Sequence, residues 1–231
     1  MTRVDVVLFD LDDTLFAHTP ASAAAIAELD GDADPGTAFA RWHELEEYHY
    51  PRYLRGELDF TGQRRARARA FLAPGGIDLD DDQADAWFEG FVTAVQRHWA
   101  LYDDALPCLD ALHDRRIGLI TNGDPVYQAS KIAAVGLDAR IEHLVASGEV
   151  GYAKPDPRIF AAACALFGVT PDAAAYVGDR LRTDAIGAAE AGLRGVWLDR
   201  DDRATAADRA DADAAGVAVI RGLAELPALL A

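Results

Sequence analysis

Along the second half of the chain, short apolar runs of strand length alternate with amphipathic stretches of helical length. No other feature of the sequence restricts the fold as much. Val4–Phe9 reads as a first strand. Ile117–Thr121 ("IGLIT"), His143–Ala146, Ala174–Val177, Gly195–Leu198 and Val217–Ile220 read as five more. Strands separated by helices favour a parallel sheet covered on both faces, so the expected class is α/β with a doubly wound parallel sheet. The helix punctuation agrees. Asp124-Pro125 and Asp156-Pro157 each supply an N-cap followed by a first-turn proline, with Gly136 and Gly168 after the helix ends. A third helix reads from Thr183 to Ala191, stopped by Gly192.

The first strand has no prompt crossover. Residues 20–29, 36–54, 61–73 and 82–99 instead read as helices, broken by Pro, Gly and Asp at "DGDADPG" and "APGGIDLDDD". Residues 17–100 are therefore expected to form a helical insertion, or cap, on a core made of residues 1–16 and 101–231. No internal repeat is visible.

Composition narrows the class of partner. A formal charge of −17 argues against a nucleic-acid polymer or an acidic membrane surface. Solubility accounts for the charge. An Asp-rich, lysine-poor chain also suits a salt-rich cytoplasm, and the Arg and Ala preference of a GC-rich genome explains the lysine shortage equally well. There is no basic segment followed by an apolar run at the N-terminus and no stretch of about 18 apolar residues, so a cytoplasmic protein is expected. Cys108 and Cys164 both fall in apolar helical patterns and read as buried, reduced thiols.

In an open parallel sheet, ligands bind beyond the carboxyl ends of the strands. The first strand here runs into Asp10, Asp12 and Asp13. The second ends in Thr121-Asn122-Gly123, the third is followed by Lys154 in "GEVGYAKPDP", and the fourth ends in "VGDRLRTD" with Asp179 and Asp184. Composition alone makes Asp clusters, and "DLDDDQAD" at 78–85 reads as a solvated helix start. Position at strand ends is what separates the first cluster from that background. Side chains two apart in a strand share a face, so Asp10 and Asp12 are expected to converge while Asp13 points away as a structural or solvated residue. Crowded carboxylates need a cation, and an all-oxygen donor set suits Mg²⁺. The chain has one lysine besides Lys154, namely Lys131, which reads as a solvated-face or packing residue.

These residues carry a resemblance. Asp10-Leu11-Asp12-Asp13-Thr14, "LITNG", "KPDP" and "GDRLRTD" are similar, in order, to the four motifs of the haloacid dehalogenase superfamily, in its subfamily with a helical cap. The likeness covers nearly the whole sheet region; the cap and the Asp-rich stretch 199–215 match less specifically. It implies a Rossmann-like core with Asp10 as nucleophile and Asp12 as proton carrier. Thr121, Asn122 and Lys154 would hold the phosphoryl group, helped by the helix starting at Pro125. Asp10, the main-chain carbonyl of Asp12 and Asp179 would hold Mg²⁺, with Asp184 orienting Lys154 or a metal-bound water.

The resemblance implies a phosphomonoester hydrolase acting on a small phosphorylated metabolite such as a nucleotide or sugar phosphate, as a monomer or homodimer. Dehalogenases of the superfamily lack the second aspartate, which is present here as Asp12. Phosphonatases need a cap lysine, and no lysine precedes Lys131. A phosphosugar mutase and a catalytically idle binding member are the alternatives; an idle member would be expected to have lost a motif residue, and none is missing. The cap is expected to choose the substrate. Its segment 41–69 holds seven arginines, of which Arg52 and Arg55 are candidates to meet an anion, with Trp42, Tyr48 or Tyr50 to stack on a base or sugar. Arginines on solvated faces and aromatics in the cap's own core are the plainer expectation.

Overall fold

The computed structural model describes residues 3–30 and 34–231. The expected break at "DGDADPG" falls partly on residues 31–33, outside the described residues. The chain divides into two compact units, residues 1–17 with 100–231, and residues 18–99.

The first unit is built on a six-stranded sheet. Its strands are β1 (Val6–Phe9), β2 (Arg116–Thr121), β3 (His143–Ala146), β4 (Ala174–Gly178), β5 (Arg194–Leu198) and β6 (Ala218–Ile220). They lie in the order β3-β2-β1-β4-β5-β6, and every pairing is parallel. The chain therefore winds outward from β1 to one edge, returns, and winds to the other edge. The reversal falls between β1 and β4, the point where an open α/β sheet presents a crevice to a ligand. β1 starts at Val6, two residues later than the apolar run suggests, although Val4 is also buried.

Helices cover both faces of the sheet. The short α5 (Ala105–Ala111) precedes β2, and α6 (Pro125–Ala134) links β2 to β3. A single turn, α7 (Ser147–Val150), and α8 (Pro157–Phe167) lead from β3 to β4. Asp156 caps α8 by accepting the Arg158 N–H at 2.9 Å, and Gly168, at φ +64°, ends it. Ile159, Phe160, Ala163, Cys164 and Phe167 form its buried stripe and pack with Val6, Leu8, Ile120, Ala174 and Tyr176 of the sheet. Each large apolar side chain buried this way contributes about 1.5–3 kcal/mol. Cys108 and Cys164 are buried free thiols.

The segment after β4 departs from the expected plain helix. Leu181–Ile186 is a wide, π-type turn, and regular α9 covers only Gly187–Glu190 before Gly192 at φ +90°. β5 runs close beneath this turn. A Cβ on Gly195 would lie 2.2 Å from the Ala185 carbonyl oxygen, so only glycine fits there. α10 (Ala206–Ala214), capped by Thr205 and Asp208, fills the Asp-rich stretch, and α11 (Leu226–Leu229) follows β6.

The second unit is helical: α1 (His18–Asp30), α2 (Pro35–Leu54), α3 (Phe60–Leu72) and α4 (Asp81–Gln96). Trp42 is fully buried at its centre against Phe71, Trp87, Phe88 and Phe91. The "DLDDDQAD" stretch is a helix start as read: Asp80 and Gln83 form a reciprocal cap, and Asp81 and Asp85 pair with Arg65. Glu46 sits by Arg67 (3.0 Å) and His18 (3.7 Å). Burial alone would raise its carboxyl, but Arg67, His18 and His43 hold it well below the ordinary value of 4.5. Among the described residues, no helix is long and apolar enough to cross a membrane.

Two outcomes follow from this packing. Gly195→Ala forces its Cβ into the Ala185 carbonyl and should lower stability by about 1–3 kcal/mol, seen as a reduced urea midpoint at unchanged slope. The Glu46 carboxyl binds its proton less readily in the folded chain than in the unfolded one. The stability it adds is therefore complete above its unfolded pKa and fades as pH falls. Glu46→Gln should flatten the loss of stability between about pH 5 and pH 3 in urea titrations, and an acid limb as steep as that of the parent chain would clear Glu46 of the effect.

Candidate active site

The carboxyl ends of β1, β2 and β4 bring the motif residues of the sheet unit together. Even-numbered positions of β1 and β4 face α8, so Asp10 continues the Val6–Leu8 face and Tyr176 lies on the same side. Asp10 is buried, and its Oδ1 accepts from Lys154 Nζ at 2.5 Å. The same ammonium reaches Asp184 Oδ1 at 2.8 Å and the Tyr176 hydroxyl at 2.7 Å. Tyr176 in turn donates to the Ile120 carbonyl at 3.0 Å. The lysine is thus buried with all three ammonium hydrogens directed at oxygen.

The electrostatics follow from burial and crowding. Desolvation pushes the Asp10 carboxyl up to about 7; Lys154 opposes the rise, while Asp184 and Asp12 add to it. Desolvation, then Asp184 and Asp10, hold Asp179 well above the usual carboxylate range. Burial disfavours the Lys154 ammonium, but Asp10 and Asp184 outweigh it and keep its pKa above the ordinary lysine value.

Asp10, Asp179 and Asp184 each bring an oxygen to within 4.8 Å of the others, a group able to hold a metal ion. The donors are all hard oxygens, and the raised Asp10 and Asp179 mark negative charge that a cation would relieve. The residues present therefore fit a divalent metal. Asp184 is already engaged at both oxygens, by Lys154 and by the Arg180 N–H at 3.0 Å. The wide turn after β4 carries its side chain back against Gly178, where a Cβ would meet the Asp184 carboxyl carbon at 2.5 Å. The glycine of the "GD" pair is thus fixed by contact. Asp179 is steadied by the Trp197 indole, which donates to its carbonyl at 2.9 Å.

Asp12 stands near enough to Asp10 to help raise its carboxyl, and its side chain takes its partners from α6. The strand ends at Phe9, and strand alternation no longer governs where the Asp12 side chain goes. Its Oδ1 accepts from Lys131 Nζ at 2.7 Å and its Oδ2 from Gln128 Nε2 at 2.8 Å. The same Gln128 nitrogen donates to Thr121 Oγ1 at 2.6 Å. Thr121 follows Ile120, which belongs to the α8 side, so the threonine points to the opposite face, toward α6.

Of the two readings of Lys131, the structure supports the packing residue and not the solvated face. It is 2% exposed, lies on the buried face of α6 with Gln128 and Ile132, and pairs with Asp12. Asn122 clamps the main chain of Lys154 with both ends of its amide, donating to the carbonyl at 2.9 Å and accepting the N–H at 2.7 Å. Its side chain thus places the lysine. Asp13 takes φ +60° in the turn and accepts from the Tyr102 hydroxyl at 3.2 Å. Thr14 is fully buried, and its carbonyl receives Arg200 at 2.7 Å.

In the helical unit, Arg52 and Arg55 both pair with Glu57, at 3.1 and 2.7 Å. Trp42 belongs to that unit's core, with Arg67 stacked on it at 4.2 Å; Tyr48 is exposed, and Tyr50 lies against Tyr53.

Tyr176, Gln128 and Lys131 were not legible as site residues. The signal was present in their setting. A tyrosine inside the buried strand "AAYVG" needs a polar partner for its hydroxyl. A helix whose inward face carries Gln128 and Lys131 beside Ile132 has polar groups where apolar ones belong. Tyr176→Phe leaves the buried ammonium one acceptor short and should cost about 1–2 kcal/mol in urea unfolding; an unchanged midpoint would show that Asp10 and Asp184 suffice.

The haloacid dehalogenase-like hydrolase family model matches residues 4–192. The phosphoserine phosphatase of Thermus thermophilus is 34% identical over 225 residues, covering 84% of this chain and 88% of that protein. The glyceraldehyde 3-phosphate phosphatase of Pyrococcus furiosus is 44% identical over 210 residues, covering 86% of this chain and 82% of that protein. The magnesium-bound HAD-hydrolase YfnB of Bacillus subtilis shares the fold, with a TM-score of 0.82 at 21% identity over 99% of both chains. With these strand-end carboxylates, this sheet order and these relatives, the chain belongs to the haloacid dehalogenase-like hydrolase family.

Proposed function

We propose that the chain is a Mg²⁺-dependent phosphomonoester hydrolase of the cytoplasm, acting on a small phosphorylated metabolite through a phosphoryl group carried transiently on Asp10. The observation that carries this reading is the separation of two neighbouring aspartates into unlike surroundings. Asp10 is buried against Lys154, whereas Asp12 is partly exposed and held by Gln128 and Lys131. Two carboxylates in different environments can take different roles.

An Asp10 oxygen attacks phosphorus in line with the leaving alcohol, forming one P–O bond as the other breaks. Asp12 gives a proton to the departing oxygen. It then takes a proton from water, whose oxygen bonds phosphorus as the Asp10 carboxylate is released. The Gln128 amide donates to Thr121 Oγ1, so the threonine's own hydrogen is left to donate to a phosphoryl oxygen. Backbone N–H groups at Asn122 and beyond assist, and the Lys154 ammonium offsets the charge that develops in the transition state. Mg²⁺ held by Asp10, the Asp12 carbonyl and Asp179 would neutralise phosphoryl charge. Asp184 holds Lys154 and the loop after β4 in place.

Loss of a halide needs no proton, so a dehalogenase would have no use for Asp12. The phosphatases named above, for phosphoserine and for glyceraldehyde 3-phosphate, support a small phosphate ester as substrate. We assign the choice among such esters to the helical unit, because the motif residues of the sheet unit serve phosphoryl transfer in general. The chain should hydrolyse p-nitrophenyl phosphate with Mg²⁺, lose that activity in EDTA and regain it on re-addition of the metal. Asp10→Asn should lower turnover by about 10³-fold or more in a chain that still melts cooperatively. Retention of full turnover in this variant would remove the nucleophile assignment.

A further inference from the structure

The chain contains only two lysines, and each is buried against one of the two first-motif aspartates: Lys154 on Asp10 and Lys131 on Asp12. The first belongs to the family motif. The second lies in α6, three residues after Gln128, so the two side chains leave the same face of the helix and meet the two oxygens of one carboxylate. From this geometry we infer that Lys131 and Gln128 are positioning residues for Asp12, fixing the carboxylate that carries protons in the reaction proposed above. The inference rests on that reading of Asp12.

Stability does not explain the arrangement. A buried ammonium and its partner gain little over an apolar pair of the same volume, and an apolar residue would complete the α6 stripe beside Ile132. Lys131 is instead buried between the rings of Phe16 (5.2 Å) and Tyr127 (4.9 Å), with its Nζ on Asp12. The two rings face the ammonium itself, a compact point charge on a flexible stem. Gln128 adds the second point of attachment. An amide oxygen turned toward the carboxylate would be repelled, so the NH₂ end faces Asp12 and also reaches Thr121. One glutamine thereby sets the spacing between the proton carrier and the hydroxyl that holds the phosphoryl group. Gly123 is part of this packing, since a Cβ there would strike Gln128 at 2.7 Å.

The two donors meet one oxygen each, so the position and plane of the carboxylate are fixed at two points. A carboxylate placed in this way serves both halves of the reaction, and the second half, when Asp12 takes a proton from water and the bond between phosphorus and Asp10 breaks, needs it whatever the leaving group. The first half needs Asp12 as an acid only when the leaving oxygen is a poor leaving group.

This asymmetry provides the test. Wild type, Lys131→Met and Gln128→Leu are compared on p-nitrophenyl phosphate and on an alkyl phosphate, with Mg²⁺ and with melting temperatures recorded. On the aryl ester, kcat should fall about tenfold or more, with KM falling in parallel, so that kcat/KM stays within about threefold. A rapid burst of p-nitrophenol should precede the slowed steady state. On the alkyl ester kcat/KM itself should fall by about tenfold or more. Gln128→Leu leaves the Lys131–Asp12 pair intact but also releases Thr121 Oγ1, so it should show a weaker difference between the two esters on top of a loss of kcat/KM common to both. Equal losses of kcat/KM on both esters in Lys131→Met, or no loss in either variant while wild type turns over, would overturn the positioning role. Failure of wild type to hydrolyse either ester would instead remove the phosphatase reading beneath it.

Discussion

The Lys154 ammonium is the charge on which the site depends. The fold gathers carboxylates from the ends of β1 and β4 into a buried space, where they repel and lose hydration. Carboxylates crowded together at the sheet's switch point need a cation among them. Lys154 satisfies one oxygen of each and is itself satisfied by Tyr176. Everything that fixes this lysine therefore belongs to the site: the Asn122 clamp on its main chain, the Tyr176 hydroxyl on β4, and the wide turn that carries Asp184 back against Gly178.

The sheet divides the chemistry between its two faces. On the α8 side stand Asp10, Tyr176 and Lys154. On the α6 side stand Thr121, Gln128 and Lys131, with Asp12 joined to them past the end of β1. Adjacent residues in a strand point to opposite faces, so two aspartates close in sequence can be given separate partners only if the chain leaves the strand between them. It does so after Phe9, in the turn where Asp13 adopts φ +60°. Asp13 makes that turn possible and anchors it through Tyr102.

Much of this was legible in the chain. The strands could be read because they are fully buried apolar runs, and the helices because Asp-Pro pairs and terminal glycines punctuate them. Asp10, Thr121 and Asp179 could be placed because each stands where a strand ends, and Lys154 and Asp184 because they lie in the segments that follow β3 and β4. Gln128 and Lys131 could not, because a helix residue's role depends on which face is buried and on what lies opposite, and the opposing group is more than a hundred residues away in sequence. The wide turn at Leu181–Ile186 was hidden for a related reason: its local sequence suits an ordinary helix, and the pull of Lys154 on Asp184 is a tertiary effect.

The sequence by itself determined the class of fold, the parallel winding and which side of the sheet would carry chemistry, since apolar periodicity and the ends of strands are local properties. Its motif residues also determined the family. Only the tertiary structure decided how charge is shared there: which lysine serves which aspartate, that Asn122 places a backbone, and that a helix turns a glutamine and a lysine inward to one carboxylate. Pairing among buried polar groups is settled by distances of about 3 Å between atoms from distant parts of the chain, and only packing sets those distances.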